Sequence, residues 1–599
     1  MPSERVLFFP LSRKGMGSGH LRRCFDTARD MEIPASLIID DELPDALLPG
    51  DWSGVIPDFP GSTSVLLTSD ALKDNSFFDA GRTLAVFDRR QSTEADILLW
   101  AEKFTPVLLD DDGQARIFAP FVLDSIPGPR GSDANEASPS WLNLPPRGQK
   151  PNPGGLILLS FGGADPAGIT APLAQILLKT GIPASRIHLT LPPGVLPDSL
   201  PRGVNILDSS GNLKNQLKNY GMVFCSYGLT AWEAVAAGCA VITADPTDYH
   251  AFLSKAAGFP GIGRMGGRSG WQFGKNRKKL LKLLDFPESL VKSAEKLASM
   301  VELRSKGSLS SLLDSLEAPE SRCLACGKVL PPVIARFPRQ SYYRCPDCGI
   351  TGLYRFGKVP EDEYGADYFQ AEYQNQYGKS YLEDFQNIKA MGVSRLEIIS
   401  RRGKKDGSLL DIGCAFGPFL EAAREAGYQP HGIDISPDAV AYVRDNLGIP
   451  AVSAAFPGDF TERMFSSKRF DIITLWYVIE HFTDLKAVFA ALNSLLEANG
   501  VLALSTPNGA GISARRSLKR FLRKSPEDHY SIWTPAIAVN LLSRYGFKVY
   551  QIKVTGHHPE RFGIFPKSRL FKSFLGLISR LFALGDTFEV YAVKEHSLV

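Results

Sequence analysis

Charge imbalance is almost absent from this chain: 67 Lys and Arg against 64 Asp and Glu leave a net charge of +3 over 599 residues. So even a balance gives no electrostatic footprint for a nucleic-acid partner, and none is expected. Long apolar runs are missing too. No stretch reaches the ~18 residues that mark a membrane-spanning helix. The opening MPSERVLFFPLSRKGMGSGH holds one short apolar run and no cleavage-like site, which predicts a first β-strand rather than a signal peptide. Internal repeats and low-complexity tracts are lacking, and hydrophobic and charged fractions of 44% and 22% exclude a disordered chain. Cysteine is scarce, with eight residues, of which four form two CxxC pairs. The others (Cys24, Cys225, Cys239, Cys414) sit singly in apolar segments. That usage suits a reducing compartment with metal ligation instead of disulfides, hence a cytoplasmic protein.

What is present is a rhythm. Short apolar runs such as RVLFF, ASLIID, TLAVFD, GLILLSFGG and AVITA alternate with helical patterns up to about residue 315. Strands alternating with helices predict parallel α/β sheets. A Pro-, Gly-, Ser- and Asn-rich stretch interrupts the rhythm and reads as a linker. The expected organisation is therefore an α/β multidomain chain. Its parts are an N-terminal Rossmann-like half over 1–125, a linker over 126–153 and a nucleotide-binding half over 154–315. A small zinc ribbon over 320–356 and a seven-stranded Rossmann-like domain over 357–599 follow.

In the last block, Leu409-Leu410-Asp411-Ile412-Gly413-Cys414-Ala415-Phe416-Gly417 is a strand running into a glycine turn and then a helix. Such a turn lets backbone approach a ligand closely. The next strand ends in Asp434, and an acid there suits ribose hydroxyls. FDIITLWYVIEH, a helix, VLALSTPN, a further helix and two final strands complete the order. These elements together resemble a class I S-adenosylmethionine-dependent methyltransferase with Glu-His after the fourth strand and Thr-Pro-Asn after the fifth. The resemblance implies that Asp411, Gly413, Ala415 and Gly417 cradle the methionine end of the cofactor and that Asp434, with Ile435 beside it, holds the ribose. It also implies that Trp476 to Glu480 line the cofactor and acceptor pocket. Ala415 departs from the glycine many members carry. His529 and His481 are rival candidates for the acceptor-side base. The run RRSLKRFLRK (515–524) reads as one amphipathic helix: a solvated face, a grip on an anionic acceptor, or a peripheral membrane contact. The stretch SRLFKSFLGLISRLFAL is expected to pack on the sheet before the last strand.

Cys323-x2-Cys326 and Cys345-x2-Cys348, 18 residues apart, have two-knuckle zinc spacing. Four thiolates complete a tetrahedron with no open position, so the expected zinc is structural. A ribbon ahead of this type of domain resembles enzymes that modify sugars and surface glycans, some of which methylate sugar carbons.

Gly15-Met16-Gly17-Ser18-Gly19-His20-Leu21-Arg22 follows the first strand, Ser160-Phe161-Gly162-Gly163 follows another, and Ser226-Tyr227-Gly228-Leu229-Thr230-Ala231-Trp232-Glu233 a third. In this order they resemble the UDP-sugar hydrolase of pseudaminic acid biosynthesis, a glycosyltransferase-like (GT-B-like) fold. The resemblance implies His20 as the base that activates water, and Gly17, Gly19 and Arg22 beside it. Gly162, Gly163 and Thr230 would meet the diphosphate, and Glu233 the uridine ribose. Asp248-Tyr249-His250 stands where that family has Asn-Gln, so hydrolysis, glycosyl transfer and nucleotide-sugar binding alone all stay open. For the whole chain, an RNA or protein acceptor brought by the ribbon is the remaining alternative.

Overall fold

The computed structural model describes residues 3–11, 19–39, 64–67, 82–126, 133–146, 148, 150–162, 165, 167–191, 200–207, 213–265, 270–302, 307–357, 378–458, 468–562 and 569–595. The chain divides into two compact units. One holds residues 1–321 with 336–340 and 356–358, and the other holds 322–335, 341–355 and 359–599.

In the first unit, seven strands precede residue 138: β1 (Arg5–Pro10), β2 (Ala35–Ile39), β3 (Ser64–Leu67), β4 (Thr83–Asp88), β5 (Thr105–Leu109), β6 (Phe121–Asp124) and β7 (Glu136–Ala137). They form one sheet in the order β3-β2-β1-β4-β5-β6-β7, parallel throughout. Strands β8 (Ile157–Ser160), β9 (Ile187–Thr190), β10 (Asn205–Leu207), β11 (Met222–Cys225), β12 (Ala240–Asp245) and β13 (Gly261–Arg264) make a second parallel sheet, ordered β10-β9-β8-β11-β12-β13. Helices cover both faces of such sheets, so the strands read as unbroken apolar runs. Accordingly β2, β4, β5, β11 and β12 are buried at every position. The expected linker is not bare coil. Within it, β7 joins the first sheet beside β6 and Asn135 returns its side-chain oxygen to the amide of Val122 at 2.9 Å.

The second unit contains the ribbon strands β14 (Val333–Phe337, shared with the first unit), β15 (Gln340–Arg344, likewise) and β16 (Thr351–Arg355). Its main sheet is built from β17 (Ser408–Ile412), β18 (Gln429–Asp434), β19 (Ala451–Ser453), β20 (Phe470–Trp476), β21 (Leu496–Pro507), β23 (Phe547–Thr555) and β24 (Thr587–Lys594). A two-residue strand, β22 (Ser531–Ile532), adds antiparallel to β16, with Thr351 opposite Ile532. The main order is β19-β18-β17-β20-β21-β24-β23. Its last three strands meet through antiparallel pairs, β24 with β21 and with β23, and all other pairs are parallel. Two elements differ from expectation. The helix after β20 ends at Leu495 and Leu496 already opens β21, instead of continuing to Gly500. The basic run is two helices, Ile512–Arg516 and Leu518–Lys524, because Ser517 is extended and its hydroxyl caps the amide of Arg520. The aromatic lead-in before residue 378 lies mostly outside the described residues.

Open parallel sheets bind ligands outside the carboxyl ends of their strands, where the strand order reverses. The three sheets reverse between β1 and β4, between β8 and β11, and between β17 and β20. The segments that carried the sequence motifs follow those strands.

Candidate functional site

At the β17/β20 reversal, the turn after Ile412 is built around glycines. Gly413 has φ +72, and a Cβ there would lie 2.4 Å from Val478 Cγ2. Gly417, at φ +78, would meet Val443 at 2.9 Å and Leu447 at 3.0 Å. Ala415 takes φ +47, a region that disfavours a Cβ, and is held there because its amide donates to Asp434 Oδ2 at 2.7 Å. The other Asp434 oxygen accepts from the amide of Ser436 at 2.9 Å, and burial raises its pKa. Ile435 beside it is 52% exposed, an apolar surface next to a carboxylate at the strand end. A donor set of turn amides, one carboxylate and one exposed aliphatic side chain fits an adenosine-bearing cofactor. Asp411 lies buried beneath the turn, accepting from Thr474 Oγ1 at 2.6 Å, and burial pushes its carboxyl up to about 7. The Trp476 ring packs on Phe419 and stacks 4.1 Å from the Arg395 guanidinium, which pairs with buried Glu589 at 2.9 Å. Tyr477 follows it at φ +59, its amide donating to the Ser505 carbonyl at 3.0 Å.

Glu480, His481 and His529 come together. Their ligand-type atoms lie within 4.8 Å of one another, and the two imidazoles meet edge to face at 4.8 Å between centroids. Asp528 approaches His481 Nδ1 to 3.1 Å. Burial opposes a charged His481, but the Asp528 hydrogen bond and Glu480 prevail and raise its pKa. Burial and the neighbouring His481 drive His529 down to about 3. Burial likewise pushes the Glu480 carboxyl, 1% exposed, up to about 7. A folded-state pKa above the unfolded one favours the folded state at low pH, and that contribution is lost as pH rises toward 7. Glu480→Gln should therefore raise the thermal midpoint of this domain at pH 8, by an effect on the order of 2 kcal/mol, and leave it unchanged at pH 4. Calorimetry at the two pH values checks this, and a variant destabilised equally at both would contradict it.

The four ribbon cysteines converge, with Sγ atoms 3.6 Å apart for Cys323 and Cys348 and 3.5 Å for Cys326 and Cys345. All four lie within 4.8 Å of one another. Each knuckle closes on a backbone bond, from Gly327 to the Cys323 carbonyl and from Gly349 to that of Cys345, both at 2.9 Å.

In the first unit, His20 opens the helix Gly19–Arg29 after β1, and Asp88 ends β4. The reversal joins them: His20 Nδ1 lies 2.7 Å from Asp88 Oδ1. Asp88 is fully buried and also receives Arg23 Nε at 2.8 Å, while Arg23 reaches Asp110, which is bonded to Ser125 at 2.6 Å. Burial alone would push the Asp88 carboxyl up, but Arg23 and His20 hold it well below the usual carboxylate range. His20 Nε2 has no partner among the described residues. Sequence reasoning missed Asp88 and Arg23. An acid closing the apolar strand TLAVFD was the available signal.

Gly19 faces Leu229, whose Cδ1 lies 3.8 Å from where a Cβ would stand, so the start of this helix meets the start of the helix Leu229–Ala236. Thr230 lies in the first turn of that second helix, which has no side-chain cap. Glu233 lies further along it, raised by burial and countered by Lys214 and Arg22. Gly162 follows β8 with open space around it, whereas Gly17 and Gly163 lie outside the described residues. The helix Thr170–Lys179 is already capped, since Asp165 accepts the amides of Ile169 and Thr170 at 2.9 Å. Tyr249 donates to Asp112, and His250, pushed down to about 4 by burial and Arg90, lies 3.5 Å from that arginine.

A parallel sheet with an antiparallel end, a glycine turn at the reversal and a carboxylate ending the adjacent strand fit a class I S-adenosylmethionine-dependent methyltransferase domain in the second unit. Residues 385–552 match the family described as Methyltransferase domain. The ubiquinone biosynthesis O-methyltransferase of Xanthomonas axonopodis pv. citri is 26% identical over 183 residues, 29% of this chain and 77% of that protein. Its counterpart in Xanthomonas campestris pv. campestris (strain B100) is 31% identical over 124 residues, 20% of this chain and 52% of the relative. A SAM-dependent methyltransferase structure from Archaeoglobus fulgidus covers 37% of this chain and 99% of its own, at 20% identity and a TM-score of 0.28. No helix among the described residues is long and apolar enough to cross a membrane.

Proposed function

We propose that the chain is a sugar-modifying enzyme in which a methyltransferase domain accompanies a GT-B-like nucleotide-sugar unit, working in the cytoplasm on surface-glycan or nucleotide-sugar precursors. The methyl group comes from S-adenosylmethionine, with Asp434 on the ribose and the Gly413 to Gly417 turn along the methionine end. His481 is the better proton acceptor of the two histidines, because Asp528 orients it and raises its basicity. His529, driven down by burial and by His481, stays neutral and packs against its edge. Zinc held by Cys323, Cys326, Cys345 and Cys348 is structural.

For the first unit, the observation that carries the reading is the His20–Asp88 pair at the reversal of its first sheet. With Nδ1–H donated to the buried carboxylate, Nε2 is the basic nitrogen and takes a proton from water attacking the glycosyl diphosphate. Thr230 and Gly162 would face the diphosphate, and Glu233, near Arg22, the ribose hydroxyls. Purified protein titrated with S-adenosylhomocysteine and then UDP should show two additive sites. His20→Ala should cut UDP-amino-sugar turnover at least ~100-fold, with UDP affinity held within about threefold. Asp88→Asn should slow turnover comparably while flattening its pH profile, since the amide no longer fixes the imidazole tautomer. UDP binding without turnover in the parent protein would reduce this unit to a nucleotide-sugar reader.

A further inference from the structure

The helix Arg569–Leu581 leaves several of its described apolar side chains exposed where packing on the sheet was expected. Among its described residues Leu575 and Ser579 are buried, whereas Phe574 is 54%, Leu577 63% and Leu581 75% exposed, and Phe582 just beyond is 62% exposed. Positions three and four apart fall on one stripe, so Phe574, Leu577 and Leu581 make a continuous apolar ridge in water.

The 3-10 turn Pro559–Phe562 packs against this helix and against Ile512–Arg516. Two bonds tie the pieces: the Ile512 amide to the Leu584 carbonyl at 2.9 Å, and Arg516 Nη1 to the Arg561 carbonyl at 2.8 Å. These contacts tie the helix to the start of the basic segment 512–524. Its Arg515, Arg516, Lys519, Arg520, Arg523 and Lys524 are all exposed, and it contains no acidic residue. Arg515 and Arg516 bond backbone carbonyls, and no ion pair among the described residues involves Lys519, Arg520 or Lys524.

We propose that this face docks the protein on an anionic lipid bilayer surface. The ridge enters the headgroup layer while the basic segment rests on lipid phosphates, and nothing spans the membrane. A protein partner would need acids placed opposite each cation. A phosphate-rich surface complements a cluster of like charges without a fixed pattern, and it also wets an apolar ridge.

The test is co-sedimentation of the full-length chain with vesicles of phosphatidylglycerol and phosphatidylcholine, or of phosphatidylcholine alone. Binding to the anionic vesicles should exceed that to neutral ones at least about tenfold and weaken in 0.5 M salt. Leu577→Asp with Leu581→Asp, and separately Lys519→Glu with Arg520→Glu, should each cut vesicle binding about tenfold or more. Both variants should leave the thermal midpoint and S-adenosylhomocysteine affinity unchanged. Equal binding to both lipids by parent and variants would overturn the proposal. So would concentration-dependent dimerisation without vesicle binding, abolished by the leucine variant, which would make the ridge an interface between copies.

Discussion

Alanine at position 434 is expected to weaken S-adenosylhomocysteine binding by at least about 100-fold, the larger part of it from two lost charge-assisted hydrogen bonds worth ~1.5–3 kcal/mol each. The position is well prepared for that role. Asp434 ends β18, one strand from the reversal, and its two oxygens already take the amides of Ala415 and Ser436. These bonds fix the carboxylate rotamer before any ligand arrives, so little ordering entropy is spent on binding. The Ala415 bond has a second effect. It holds a non-glycine residue at φ +47, so losing it lets the turn relax away from the shape that approaches the methionine end. Asp434→Asn should fall between parent and alanine, because the amide keeps one acceptor for Ala415 and forfeits the charge. Calorimetry with S-adenosylhomocysteine measures all three. UDP affinity and zinc content serve as controls for folding, and both should be unchanged. If Asp434→Ala binds as tightly as the parent, the ribose contact lies elsewhere.

What the chain makes legible is whatever depends on neighbours in sequence. Strands buried on both faces are apolar along most of their length, so TLAVFD and AVITA announce themselves. The glycine turn after β17 is forced locally, because a Cβ at Gly413 would collide with Val478. Contacts between distant residues are another matter. His20 and Asp88 are 68 positions apart, and only the sheet order, with β4 directly beside β1, brings them together. The same holds for His481 and Asp528, which sit after different strands. A periodic pattern also leaves undecided which side of a helix is covered. The sequence 569–581 has a clear apolar stripe, yet Phe574, Leu577 and Leu581 are exposed where packing on the sheet was expected, while Leu575 is buried. At 515–524 the periodicity is compatible with one helix, and the single extended Ser517 that breaks it has no strong signal, since serine is tolerated both as an interior residue and as a cap.

Removing the ribbon metal should loosen the acceptor side of the methyltransferase domain far more than its cofactor side. A tetrahedral zinc about 2.3 Å from each thiolate sets sulfurs roughly 3.8 Å apart, close to the 3.5 and 3.6 Å separations of the two closest pairs. The knuckles are stitched into the second unit on both sides. The Leu485 amide donates to the Leu324 carbonyl at 2.9 Å, and Tyr545 and Arg544 donate to the Ala325 and Asp347 carbonyls. On the ribbon's last strand, the Leu353 amide donates to the Tyr530 carbonyl at 2.9 Å, and Arg355 reaches the Glu527 carbonyl at 3.3 Å. Those bonds bracket Asp528 and His529, so a ribbon that loses its metal releases the segment that positions His481. None of them touches Asp434 or the Gly413 turn. Cys345→Ser should therefore abolish zinc binding at the proposed four-cysteine site and lower the thermal midpoint of the domain by about 10 °C, taking roughly 3 kcal/mol lost in a domain of this size. Amide hydrogen exchange across 527–532 should accelerate at least about tenfold, as for a segment that opens locally. Affinity for S-adenosylhomocysteine should change less than about threefold, since a site built on the other strand ends keeps its contacts. Parent protein that carries no zinc when purified without chelator would remove the metal from this account, and equal losses on both sides would mean that the ribbon supports the whole sheet instead of the acceptor segment alone.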